Sequence, residues 1–207
     1  MAVVYPSVDW LNELMRVVNS DATYKRVAAN WEGDFLCIVE IDQEALKDFQ
    51  KPKVLRGLIS LLAAIPKDKR KAFKGTPTEK FAQRLGIALD QDIDPSKLDY
   101  EEMAKKVAEI KLDEIKGASI HIWLDFWHGE LRNAKPVAPG EIPSPRFTLT
   151  GPHVAFKEVV SGKIDTTTQI VRGKLKLRGD LGYMMRNAAA VTRFGQLMSS
   201  IPIDTDP

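Results

Sequence analysis

The chain has a single cysteine in 207 residues, Cys37, so no internal disulfide can form. Its setting in the apolar run Phe35-Leu36-Cys37-Ile38-Val39 reads as a small buried core residue rather than a reactive thiol. There are only three histidines, His121, His128 and His153, and none sits in a His-x-x-x-His helix or beside paired cysteines, so no metal-site motif is present. Strong net charge is missing as well. With 30 Lys and Arg against 28 Asp and Glu the formal charge is +2, which excludes the basic stripe of a dedicated nucleic-acid binder. The local cluster Lys67-Asp68-Lys69-Arg70-Lys71 reads as a solvated loop.

No apolar run reaches the ~20 residues that span a bilayer. The start, Met1 to Pro6, has neither the basic region nor the apolar core of a signal peptide. The end, Ile203 to Pro207, is not a Ser-Lys-Leu type of peroxisomal address. The expected location is cytoplasmic. No Gly-x-Ser-x-Gly elbow occurs, and Gly173-Lys174 lacks the earlier glycine and the following Ser or Thr of a phosphate loop. His121 and Asp125 stand four apart on one strand face without a nucleophile beside them. No catalytic residue, metal or cofactor is therefore expected.

What is there is a chain long enough to bury about 70% of its unfolded surface without a staple. Ser7 can cap a first helix whose stripe is Val8, Leu11, Leu14, Met15 and Val18, and Gly33 to Ile41 reads as a strand. From Gln43 to Gly117 strand character disappears. Helices are expected from Pro52 to Ile65, from the Thr76-Pro77-Thr78-Glu79 cap to about Leu89, and after Asp99-Tyr100-Glu101-Glu102. Strand character returns with Ile120 to Trp127, in which Ile120, Ile122, Leu124 and Phe126 share one face and His121, Trp123, Asp125 and Trp127 the other. Glu130 to Ala134 reads as the next strand, Pro136 to Pro145 as an irregular connection, and Arg146 to Thr150 as a strand. Short helices follow at His153 to Val160 and Thr166 to Arg172. Leu175 and Leu177 then alternate with Lys174, Lys176 and Arg178 in a short edge strand. Leu181, Met184, Met185, Ala188, Ala189, Phe194, Leu197 and Met198 recur at spacings of three and four, as on one side of a helix.

In order and spacing, Ile120 to Phe126, Phe147 to Leu149, Phe156 to Lys163 and the Gly173 to Met198 strand and helix resemble the sterol carrier protein 2 family, over roughly residues 118–200, with a looser match for Ser7 to Ile41. Pattern and resemblance together imply an α+β fold. A sheet of about five strands is covered on one side by helices; residues 1–42 and 118–207 form the lipid-binding domain and 43–117 a helical insertion. The resemblance implies non-catalytic binding and carriage of a lipid, a fatty acid or acyl derivative, or a similar amphiphile in an apolar tunnel. Inward strand parity and the Met-rich helix then nominate the walls: Ile122, Leu124, Phe126, Phe147, Leu149, Leu175 and Leu177 from strands, and Phe156, Val160, Met184, Met185, Phe194 and Met198 from helices. Transient contact with a membrane surface and a homodimer are compatible with this reading. Two rivals stand beside it. One is an interaction or dimerisation module with a filled core; the other is an enzyme acting on a hydrophobic substrate in the same cavity, with His121 or His153 as base.

Overall fold

A computed structural model describes residues 2–204. The reading of the chain's last three residues as carrying no targeting signal lies outside the described residues. Five strands, β1 (Glu32–Glu40), β2 (Ser119–Trp127), β3 (Glu130–Val137), β4 (Phe147–Pro152) and β5 (Lys176–Gly179), form one mixed sheet in the order β3-β2-β1-β4-β5. Only the β1–β4 pair is parallel. The fold is α+β. β3 runs past the expected end at Ala134 through Pro136, because an edge strand tolerates a residue that cannot donate to the ladder.

Register brings the apolar residues of one face into rows. Cys37 lies between Ile122 and Leu149, and Leu149 is opposite Leu177; Phe35 lies between Leu124 and Phe147. Helices cover this face: α1 (Val8–Ser20) against β3, α8 (His153–Val160) against β1 and β4, and α11 (Ala188–Ser199) against α1, α8 and the short α2 (Ala22–Val27). Ser7 caps α1 as expected, its hydroxyl accepting from the Trp10 amide at 3.0 Å. The opposite face mixes apolar and polar residues, the Leu36–Trp123 pair standing beside Asp34 and Asp125. Asp34 accepts from the Trp123 indole at 2.6 Å and the Arg146 amide at 2.8 Å, while Arg132 makes two bonds to Asp125 at 3.0 and 2.9 Å. His121 meets Ser119 Oγ at 3.1 Å, so His121 and Asp125 have separate partners; burial pushes the imidazole pKa down.

The segment 43–117 contains α3 (Gln43–Asp48), α4 (Pro52–Ala64), α5 (Lys67–Arg70), α6 (Pro77–Arg84) and α7 (Tyr100–Ala108) with short 3₁₀ turns and no strand, but residues 85–94 are irregular, so α6 stops short of the expected end near Leu89. Its stripes do not form a separate core: Leu55, Leu58, Ile59, Phe81 and Val107 belong to the same buried cluster as Leu11, Ile120 and Leu149. α4 crosses so close to the N-terminal segment that a Cβ on Gly57 would lie 2.5 Å from the Pro6 carbonyl oxygen, and glycine is required there. The Lys67–Lys71 cluster corrects a reading made from charge alone. Arg70 is 4% exposed and donates to the carbonyls of Leu62 and Ala63 in the last turn of α4 and of Gln91 between α6 and α7, tying these segments together.

A second correction concerns the last helix. It is broken at Asn187 into α10 (Leu181–Arg186) and α11, because Asn187 takes φ −110° and ψ 26°, outside the helical well. The inward positions nevertheless keep a three-four spacing through the break: Tyr183, Asn187, Ala190, Phe194 and Leu197 are buried or half-buried, whereas Leu181, Met185, Ala188 and Ala189 are exposed. Met184 packs against the core whereas Met185, 78% exposed, faces water. α10 is held to the start of β1 by Tyr183, whose hydroxyl accepts from the Glu32 amide and donates to the Asn30 carbonyl, and whose ring lies under the Arg146 guanidinium at 3.6 Å.

Candidate functional site: an apolar slot between sheet and helices

Between the inner sheet face and the helices α8, α10 and α11 runs a partly open slot of about 90 Å³. That is several times the space one water needs, and too large to be an ordinary packing defect. Its strand wall is Phe35, Cys37 and Val39 of β1, Ile122 and Leu124 of β2, Leu149 of β4, and Leu175 just before β5. Its helical wall is Phe156, Val159 and Val160 of α8, Thr166 at the start of α9 (Thr166–Val171), Met184 of α10, and Val191, Phe194, Gly195 and Met198 of α11. Tyr5 and Trp10 close the remaining side.

Of the thirteen side chains nominated from sequence, nine line the slot: Ile122, Leu124, Leu149, Phe156, Val160, Leu175, Met184, Phe194 and Met198. Phe126 lines a small satellite void of about 30 Å³ instead, packed edge-on to Phe194 at 4.9 Å and to Phe35 at 6.1 Å. Phe147 is fully buried behind the wall, stacked on Phe35 at 4.8 Å. Leu177 faces the core opposite Leu149 without reaching the slot. Met185 points into solvent and belongs to no wall, lying on the outer side of α10 with Leu181.

Several wall residues escaped the sequence reading. The alternation of Phe35, Cys37 and Val39 carried the needed signal, which the nearly continuous apolar run around it obscured. Tyr5 and Trp10 carry no local signal, since only the tertiary path of the N-terminus brings them over the sheet. Tyr5 packs edge-on to Trp10 at 5.0 Å and stacks on His153 at 5.8 Å. Behind that stack His153, 1% exposed, meets Asp48 at 3.1 Å, and Lys157 reaches the same carboxylate at 2.6 Å. Burial alone would raise the Asp48 pKa, but bonds from His153 and Lys157 outweigh it and hold the carboxyl below its ordinary value. This buried ionic node ties α3 to α8 and thereby fixes the helical wall.

The slot's lining is almost wholly apolar. Tyr5, Trp10, Cys37 and Thr166 bring its only side-chain donors among the lining residues. Burial pushes the Cys37 thiol up to about 12, so it remains protonated at neutral pH, and it pushes the Tyr5 phenol upward with help from Cys37. Among the described residues no cluster of His, Cys, Asp and Glu is arranged to hold a metal ion, and no helix is long and apolar enough to cross a membrane.

Beside the slot lies a wider basin of about 320 Å³ between the α8–α9 turn and α11. The two spaces share Val159, Thr166, Val191 and Gly195. The rest of the basin is mostly polar, with Asp165, Thr167, Thr192, Gln196 and Ser199.

Comparison with known proteins gives this geometry a context. Residues 88–192, half of the chain, match the model of the SCP-2 sterol transfer family. A crystal structure of sterol carrier protein 2 superposes with a TM-score of 0.53 at 17% identity, over 93% of this chain and 95% of that one. The solution structure of a conserved hypothetical protein from Thermus thermophilus, described as possibly a sterol carrier protein, superposes with a TM-score of 0.55 at 16% identity, over 97% of this chain and 91% of that one. At such identities these likenesses concern the fold. No curated protein matches the sequence.

Proposed function

The chain belongs to the SCP-2 sterol transfer family, and from that premise we propose that it binds and carries an amphiphile whose hydrocarbon chain occupies the apolar slot, without making or breaking a covalent bond. The observation that carries this reading is the slot itself, a space in an otherwise filled core walled by the inner sheet face and by Phe156, Met184, Phe194 and Met198. Water gains little there, because a buried water needs two to four polar partners and the walls offer few. A methylene chain needs none. Methionine suits such a wall, since its unbranched thioether adapts to partners of variable shape.

The slot is narrow, which favours a single acyl chain over a rigid fused-ring body. Each methylene brought out of water contributes about 0.8 kcal/mol, so hydrocarbon length rather than one exposed charge contact, at about 0–1 kcal/mol, sets affinity. The test is calorimetric titration with straight-chain amphiphiles of one head group and graded length. Two added methylenes should tighten binding by roughly tenfold until the slot is full, after which affinity levels off. Affinity independent of length, or no binding at micromolar concentration, refutes the carrier reading and leaves the slot a packing feature.

A further inference from the structure

The basin beside the slot carries a statement about the ligand's other end, and it rests on the reading of the slot as a chain site. We infer that the basin receives an uncharged, hydroxyl-bearing head group. Three observations support this. First, the two spaces adjoin: Gly195 lines both, and a Cβ built on it would have no heavy atom within 4 Å. Glycine in a helix interior is unfavourable relative to alanine and is normally kept for close contact, as at Gly57. At Gly195 there is no contact to protect, and on this inference the space left by the missing side chain is where a chain in the slot continues into the basin.

Second, among the described residues no Lys, Arg or His lines the basin, so a carboxylate or phosphate would lose water there without gaining a cation. The one ionised group is Asp165, whose carboxylate accepts from the Thr168 amide at 2.9 Å and hydroxyl at 2.6 Å, and those bonds hold its pKa low. An anionic head would meet a fixed negative charge. Third, the hydroxyls of Thr166, Thr167 and Thr192 make no hydrogen bond among the described residues, and each can both donate and accept. Paired donor–acceptor groups match a hydroxyl, which also does both, whereas a carboxylate only accepts.

The experiment compares three twelve-carbon amphiphiles below their critical micelle concentrations at pH 8: 1-monolauroylglycerol, laurate and dodecyltrimethylammonium. Monolauroylglycerol should bind at least tenfold tighter than either charged compound, and in the double variant Thr166→Val, Thr192→Val that preference should fall below threefold. Thermal unfolding of the variant confirms that it is folded. Laurate or the quaternary amine binding as tightly as the glyceride overturns the head-group inference while leaving the chain site standing, as does a preference that the double variant retains. Failure of all three compounds to bind overturns both.

Discussion

Gly195→Leu should weaken the binding of amphiphiles with twelve or more carbons by at least tenfold while leaving the empty protein as stable as the parent or slightly more so. The two halves of this expectation come from different physics. Replacing a helix-interior glycine by a good helix former gains about 0.5–1 kcal/mol from backbone propensity, and at Gly195 no neighbouring atom lies within 4 Å of the new Cβ to oppose it. The added isobutyl group, however, occupies the space at Gly195 that borders both slot and basin, where the inferred ligand passes. A core mutation that harms binding usually harms stability as well; here the two effects part company. Paired calorimetric titration and thermal unfolding check it, and unchanged affinity in the stabilised variant shows that no ligand passes Gly195.

Asp48→Ala should lower stability by about 3 kcal/mol, the lower end of what breaking a buried ion pair costs, because Lys157 keeps 33% of its side-chain surface exposed and so retains partial solvation. For a chain of this length that corresponds to a fall of about 6–12 °C in melting temperature. The loss arises chiefly from what remains: His153, enclosed beneath Tyr5, loses the carboxylate at Nε2 while its Nδ1 already has no partner among the described residues. The sign of the pH dependence follows from the lowered Asp48 pKa. A carboxyl held below its unfolded value stabilises the native state fully above about pH 4 and progressively less as pH falls through the folded value. The stability difference between the parent and Asp48→Asn should therefore be constant near neutrality and shrink in acid, as denaturant unfolding at stepped pH would show. A difference that grows on acidification contradicts this account of the node.

These expectations rest on residues of unequal visibility in the sequence. Strand parity placed Ile122, Leu124 and Leu149 on the inner face because a period of two survives any arrangement of the helices above it. Helical parity failed at Met185 because the apolar residues Leu181, Met185, Ala188 and Ala189 read as part of the inner stripe, whereas the side that is buried runs through Tyr183, Met184, Asn187, Ala190, Phe194 and Leu197 and includes polar residues that mask it. Arg70 was misread for a related reason. Charge predicts solvent, but the carbonyls of Leu62, Ala63 and Gln91 come together only in three dimensions and need a donor that can reach all of them. The basin was hidden too, because Asp165, Thr166 and Thr167 read locally as a helix cap and nothing in the chain's order tells that α11 lies across from them. Burial and facing follow from local pattern; cavities come from the gaps between elements, which local pattern does not encode.

Occupancy of the slot is tested most directly by the methyl resonances of the methionines. Met184 and Met198 stand in the wall, whereas Met185, one residue from Met184, is exposed to solvent and serves as an internal control. In protein labelled with carbon-13 at the methionine methyls, addition of monolauroylglycerol should move the Met184 and Met198 signals, saturably and together, and leave Met185 in place. Shifts confined to Met185, or no shift at Met184 and Met198 at ligand concentrations that bind by calorimetry, would mean that the amphiphile lies on the surface and the slot is empty.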